Sequence, residues 1–428
     1  MKKNLVEFFW VAALLLAGCG RANSTPSLAE TLPATRAPSA THTPTPNLEP
    51  TEIIIQGTVT LWHSWEESEV PILVQVIRDF QLLYPEVHFD VLYIPYENLM
   101  PRFETAALEG GGPAILLGPA DWGPNLYDQG LLADLSEFAS SELLNRLNPA
   151  ALGTAEYQNV LIGLPYTIQG VVLYRNIAII PEVPVTFDDL VSLARSSTQG
   201  EVLGAFLERS FFFSGAHLNG IGGALMQSTG APAFNDEKGL AWVELLQAFG
   251  EAGPTDYLSD QDLELFRQGK AGFIIDGTWS KEDLAQAIEP ENLAIDPWPA
   301  FEDGYLSGYV QSDNIYMSAR AGGDNHTAAW KFIEFFLSTD TQQRLAETGH
   351  IPAIVEVEVA DVHLAQMMAA LAGGTTYPSI PVMNHYPAAM DVALRSVFEQ
   401  GVQPSEALQA AMQTILTAMT GDQVTPTP

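Results

Sequence analysis

Cysteine is all but missing from this chain: among 428 residues there is one, Cys19. A lone thiol excludes an internal disulfide framework and any Cys-based zinc or iron–sulfur site within one chain. Basic residues are scarce as well, 18 Lys and Arg against 52 Asp and Glu, for a formal charge of −34. Nucleic acid and anionic membrane surfaces would repel such a chain, so neither is an expected partner. The apolar run Leu5 to Gly18 is 14 residues long and carries Glu7, short of the roughly 20 that a membrane span needs. Catalytic and metal signatures are missing too. There is no Walker A run, no G-x-S-x-G and no H-E-x-x-H, and Gly220-Ile221-Gly222-Gly223 lacks the last glycine of a dinucleotide motif. His63 has no second histidine at ligand spacing. No cofactor, no metal and no catalytic residue are therefore expected.

What is present divides the chain into parts. Lys2 and Lys3 ahead of the short apolar run form a secretory leader. It ends in Leu16-Ala17-Gly18-Cys19, which resembles the lipobox of bacterial lipoproteins; the resemblance implies that residues 1–19 are a signal peptide with its lipobox cysteine, Cys19 being acylated and left as the new N-terminus by cleavage ahead of it. Residues 20–51 hold 6 Pro, 7 Thr and 3 Ser in 32 positions, a composition that reads as a disordered tether reaching up to roughly 100 Å if fully extended. Residues 52–420 exceed the roughly 250 to 300 at which one core stops growing, so two domains are expected, followed by a polar tail at 421–428.

Within that body, Val59-Thr60-Leu61-Trp62 reads as a first strand. A helix from about Glu69 to Tyr84 follows, with Pro71 in its first turn and an apolar stripe of Val70, Leu73, Val74, Ile77, Phe80 and Tyr84. Val87, Phe89, Val91 and Tyr93 alternate as a second strand, residues 98–109 read as helix, and Gly110-Gly111-Gly112 stops it before the strand Ala114 to Leu117. This β-α-β-α-β order predicts an α/β fold, with a mostly parallel sheet flanked by helices. Ligands then belong at the carboxyl ends of the strands, in the loops after His63 and after Gly118. Further on, strands are expected at 163–166, 170–174 and 272–275, and helices at 187–195, 237–250, 328–345 and 405–419.

Six segments resemble, in order, the family of extracellular solute-binding proteins that includes maltose-binding protein. They are Leu61-Trp62-His63-Ser64-Trp65, Gly130-Leu131-Leu132-Ala133-Asp134-Leu135, Ile162-Gly163-Leu164-Pro165-Tyr166, the run Gly269 to Trp279, Ala328-Ala329-Trp330-Lys331-Phe332-Ile333, and Thr348-Gly349-His350-Ile351-Pro352-Ala353. Two departures stand out: Pro113-Ala114 replaces the family's frequent Pro-Asp, and residues 363–387 match nothing diagnostic. The resemblance implies a two-lobed periplasmic-binding-protein-like fold of type II with a hinge between the lobes. By analogy, residues 52–170 plus 312–352 form the first lobe and 171–311 plus 353–420 the second, with crossovers near 169–171, 309–312 and 351–353.

A sugar presents hydroxyls at its edge and C–H patches on its faces, so its site needs carboxylates or amides beside flat aromatic surfaces. The candidate binding residues are Ser64, Trp65 and Glu66 on the first loop, Asp121 and Trp122 on the third, and Tyr166, Trp279, Trp298, Tyr309 and Tyr386. Asp121 and Glu66 also suit a plain helix-capping role. Trp62 and the run Phe211-Phe212-Phe213 read as core. The expected function is that of a monomeric, lipid-anchored binder at the extracytoplasmic face of the cell membrane, passing a carbohydrate to permease subunits and their ATPase. The alternatives are another solute (polyamine, glycerol phosphate or peptide) or a surface-anchored polysaccharide hydrolase or lyase.

Overall fold

The computed structural model describes residues 54–257 and 259–422. The leader, Cys19 and the Pro/Thr-rich segment lie outside the described residues. Alternation makes the first strand, β1 (Gly57–His63), which buries Val59, Leu61 and His63. Pro71 sits in the first turn of α1 (Val70–Leu83), where its missing N–H is not needed. The helix buries Leu73, Val76, Ile77 and Phe80, whereas Val74 of the expected stripe is exposed. β2 (Val87–Tyr93) pairs parallel to β1 at the sheet edge, so its alternation is one-sided and Val91 and Tyr93 remain exposed. α2 (Tyr96–Leu108) ends at Gly110 and Gly112, whose φ of +85° and +89° suit glycine. β3 (Ile115–Pro119) then returns parallel to β1 and leads into α3 (Trp122–Asp128).

The two strands expected at 163–166 and 170–174 are one, β4 (Leu164–Asn176). The polar residues between them do not break it, because the same strand serves both halves of the molecule. The strands around it are β5 (Leu203–Ala205), β6 (Ala271–Gly277), β7 (Leu293–Asp296), β8 (Tyr309–Met317), β9 (Ile351–Pro352) and β10 (Thr375–Thr376). The sheet order is β2-β1-β3-β8-β4-β6-β5, with β7 and β9 also on β4 and β10 on β8. Parallel pairing holds at the two ends of this order, while β8, β6, β7 and β9 are antiparallel to their central partners. The sheet is thus mixed at its middle. Residues 164–170 of β4 pair with β8, and residues 171–176 pair with β6 and β7.

Period two along β4 also divides the cores. Ile168, Val172 and Tyr174 enter one apolar cluster with Val59, Phe80 and Phe332, whereas Val171 and Leu173 enter a second with Trp242, Phe249 and Tyr386. A smaller third cluster gathers Leu99, Phe103, Trp122 and Tyr316. Buried between β4 and β7, Arg175 grips Asp296 through two bonds of 2.6 and 3.0 Å and donates further to the carbonyls of Ile180 and Pro181. Such a pair persists in the interior because the fork geometry satisfies both charges.

The later helices are α4 (Phe187–Ser197), closed by a Thr186/Asp189 capping box, α5 (Glu237–Ala252) and α6 (Gln261–Arg267). The single helix expected over 328–345 is two, α7 (Gly323–Phe336) and α8 (Thr339–Ala346), because the Ser338 hydroxyl caps the second by accepting from the Thr341 N–H. The undiagnostic region 363–387 holds most of α9 (Val362–Ala372), β10 and the start of α10 (Tyr386–Gln400). Last comes α11 (Pro404–Asp422), which takes in the first two residues of the expected tail.

Candidate functional site

Where the chain crosses between its two halves, β4 carries Thr167 and Gln169 on either side of the buried Ile168, and Gln169 is exposed. Beside it the register between β8 and β4 slips at Asp313/Asn314, so Asp313 stands opposite Thr167 and Asn314 opposite Pro165. A bulge of this kind re-aims a side chain. Asp313 lines an open cavity of about 380 Å³ together with Glu69 from the start of α1, Gln169, Thr278, Trp279 and His350. Met367 of α9 also reaches this cavity.

Trp279 follows β6 through Gly277-Thr278, and its indole folds back so closely that a Cβ on Gly277 would lie 2.0 Å from the ring. Only glycine permits that approach. Thr278 accepts a 3.2 Å hydrogen bond from the Gly170 N–H, tying the turn to the crossing strand. The Trp279 ring is 51 % exposed and stands 6.1 Å from Phe212, which is 5.8 Å from Tyr377; Tyr309 backs Tyr377 at 5.1 Å. Trp279, Phe212 and Tyr377 thus form an aromatic wall.

The acids lie on other elements. Asp121 precedes α3 and makes no side-chain cap bond to the helix, so the capping role is not seen there. Burial raises its pKa, tempered by the amides of residues 121 and 122. Burial likewise pushes Asp313 up to about 6; His350 pulls it down, while the Asp121 and Glu69 charges raise it further. The adjacent His350 ring, 2.9 Å from Glu69 Oε1, holds the Glu69 carboxyl below the usual range despite burial. The Asp121 charge also adds to the effect of burial in raising the Tyr377 hydroxyl, which places this acid near the aromatic wall. Lys281, the other basic group on the cavity, contacts Glu282 and lies 3.5 Å from Asp361.

Of the residues singled out by sequence, Trp279 lines the cavity and Asp121 stands beside it. Ser64 is half-buried, and Glu66 is exposed with its N–H donating to Glu69 Oε2 at 2.7 Å. The others pack inward. Trp65 is buried, donating from Nε1 to the Tyr166 hydroxyl at 3.0 Å and lying 5.0 Å from His350. Trp122 is buried against Gly118 and 5.5 Å from Tyr96. Trp298 packs edge-on to His217, and the Tyr386 hydroxyl donates to the Gly230 carbonyl at 2.7 Å. Tyr166, Tyr309 and Tyr386 are each at most 2 % exposed.

Sequence reasoning missed Glu69, Gln169, Phe212, Asp313, His350 and Tyr377. His350 lay inside a recognised segment, and Phe212 inside a run read as core; Asp313 and Tyr377 carried no local signal. Among the described residues no cluster of three or more His, Asp or Glu side chains is arranged for a metal ion, and no helix is long and apolar enough to cross a membrane.

An open cleft lined by acids and by the exposed Trp279 ring suits a neutral or cationic polar solute. Several known proteins have similar chains. The maltotriose-binding protein of Pyrococcus abyssi is 26 % identical over 321 residues, 70 % of this chain and 67 % of that protein. The maltooligosaccharide ABC transporter solute-binding lipoprotein of Streptococcus pneumoniae is 26 % identical over 267 residues, 58 % of this chain and 61 % of its own. In structure, the extracellular solute-binding protein of Staphylococcus aureus in complex with maltose superimposes with a TM-score of 0.77 at 20 % identity, over 85 % of this chain and 98 % of that one, a likeness of fold. The family of bacterial extracellular solute-binding proteins matches residues 75–372, well over half the sequence, and the chain belongs to that family.

Proposed function

We propose that the protein captures an oligosaccharide in the cleft between two lobes and hands it to an ABC importer. The observation that carries this reading is the half-exposed Trp279 ring over a cavity bordered by Gln169, Thr278, Glu69 and Asp313. Carboxylates and amides accept from sugar hydroxyls while an indole covers a ring face, so the two kinds of surface orient one ligand. The sugar assignment draws support from relatives named for maltotriose and maltooligosaccharides. In this reading the first lobe takes residues 52–170 and 312–352 and the second 171–311 and 353–420, with β4 as a shared hinge strand. Ligand contacts from both lobes favour a closed state, which the permease recognises. The action is binding and release, with no covalent step.

Calorimetry with maltose and maltotriose, paired with small-angle scattering, tests this directly. Micromolar or tighter binding is expected, with a smaller radius of gyration on saturation. Absence of binding by any glucose oligomer overturns the sugar reading, and release of new reducing ends or unsaturated products overturns the binder reading. The anchor is a separate part of the proposal. Acylated Cys19 would hold the protein at the outer face of the membrane, as the lipoprotein name of the pneumococcal relative supports. Cys19→Ala is expected to shift the protein from the membrane fraction to the soluble one, and retention in the membrane overturns the anchor.

A further inference from the structure

Two carboxylates line the same cavity, Glu69 at the start of α1 and Asp313 on β8, and the charge of a third, Asp121 before α3, acts on Asp313. Asp121 and Glu69 both act electrostatically on Asp313. Against them stands one basic group, His350, already in contact with Glu69. Lys281 does not alter the balance, since Glu282 and Asp361 face it. Among the described residues no group donates a hydrogen bond to the Asp313 carboxylate, although the β8 bulge aims it at the cavity. Gathering like charges with one counter-charge is unfavourable in the empty protein. A neutral hydroxyl bound there satisfies lone pairs but leaves the charge. A protonated nitrogen satisfies both, and the exposed Trp279 ring on the same cavity presents a π-face of the kind that holds a cation.

We infer that the cleft selects a saccharide bearing a protonated amine, with Asp313 as the residue that sets this preference and Asp121 and Glu69 assisting it. The inference rests on the sugar-binding reading above and names the ligand class within it. The Asp313 carboxyl gives the preference a pH dependence. As pH falls through about 6, Asp313 takes up a proton and loses its charge. Loss of that charge weakens the hold on a cation; Glu69, Asp121, His350 and Lys281 are the other ionisable groups around it.

The test is calorimetry on the full-length protein in detergent, comparing maltotriose, a set of maltotriose derivatives with one hydroxyl replaced by an amine at C2 or C6, and their N-acetylated forms. At pH 7.5 at least one amine is expected to bind about tenfold or more tighter than maltotriose, a gain the N-acetyl form loses. Lowering the pH to 5 is expected to shrink that ratio several-fold. Asp313→Asn, checked for a normal melting transition, is expected to bring the ratio to within about threefold of one; for a variant that does not fold, the wild-type pH profile serves instead. Maltotriose binding as tightly as every amine at pH 7.5 overturns the inference and leaves the sugar reading standing, as does a ratio unmoved by pH and by Asp313→Asn. Binding of none of the compounds overturns both.

Discussion

Trp279 and Tyr386 show how differently two aromatic candidates are used once folded. Half of the Trp279 ring faces open space, so Trp279→Ala is expected to change stability by no more than about 1 kcal/mol while weakening maltotriose binding about tenfold or more. Trp242→Ala supplies the contrast: that ring is fully buried and donates to the Ser214 carbonyl at 3.0 Å, so its loss is expected to cost about 3–5 kcal/mol in denaturant melts. Tyr386 is buried with its hydroxyl bonded to the Gly230 carbonyl. Tyr386→Phe should therefore lower stability by about 1 kcal/mol and leave sugar affinity unchanged. A fall in affinity would return Tyr386 to the site. Sequence placed both residues near the ligand because both lie close to glycine or proline at element ends. That local signal does not report which side of the sheet a ring will face.

At the scale of elements, α6 carries a buried acid that ties stability to pH. Burial raises Asp262 to about 7, aided by the charges of Glu208, Asp276 and Asp256, and Asp276 on β6 is raised to about 6. A carboxyl whose folded pKa exceeds its unfolded value binds more protons when folded, so its contribution to stability falls as pH rises from about 4 to about 7. His217, lowered to about 4 by burial, acts in the opposite sense over part of that range, which makes a mutant difference the cleaner measurement. Asp262→Asn is expected to gain roughly 1–3 kcal/mol of stability relative to the wild type between pH 5 and pH 8. Equal differences at the two pH values would show that Asp262 does not titrate in this range. The elements themselves were largely legible. Leu73, Ile77 and Phe80 recur at helical spacing and are buried in α1, and Pro71 marked its first turn. The failures came from tertiary context: β4 reads as two strands around a polar interlude, yet pairing with β8 and β9 on one stretch and β6 and β7 on the next keeps it continuous.

Across the whole molecule, β4 is the element that any movement of the two halves must pass through. Gly170 sits where its partners change, and a Cβ there would come within 2.3 Å of the Tyr309 carbonyl and 2.7 Å of Leu371. Gly170→Ala is therefore expected to cost about 1–3 kcal/mol and to reduce the compaction that ligand produces in small-angle scattering. Unchanged stability and compaction would mean that the crossing tolerates the shift.

The sequence by itself determined the order of strands and helices, the absence of cysteine chemistry in the body, and the family, because periodicity, turn residues and short motifs are local properties of the chain. Tertiary structure decided which residues form the cleft. Glu69, Gln169, Thr278, Trp279, Asp313 and His350 line one cavity although they are spread along the chain and share no pattern. They meet because β4 and β8 cross between the halves and a one-residue slip at Asp313 turns its carboxylate toward the cavity. An ionised acid, moreover, takes its properties from its neighbours through space, and those exist only after folding.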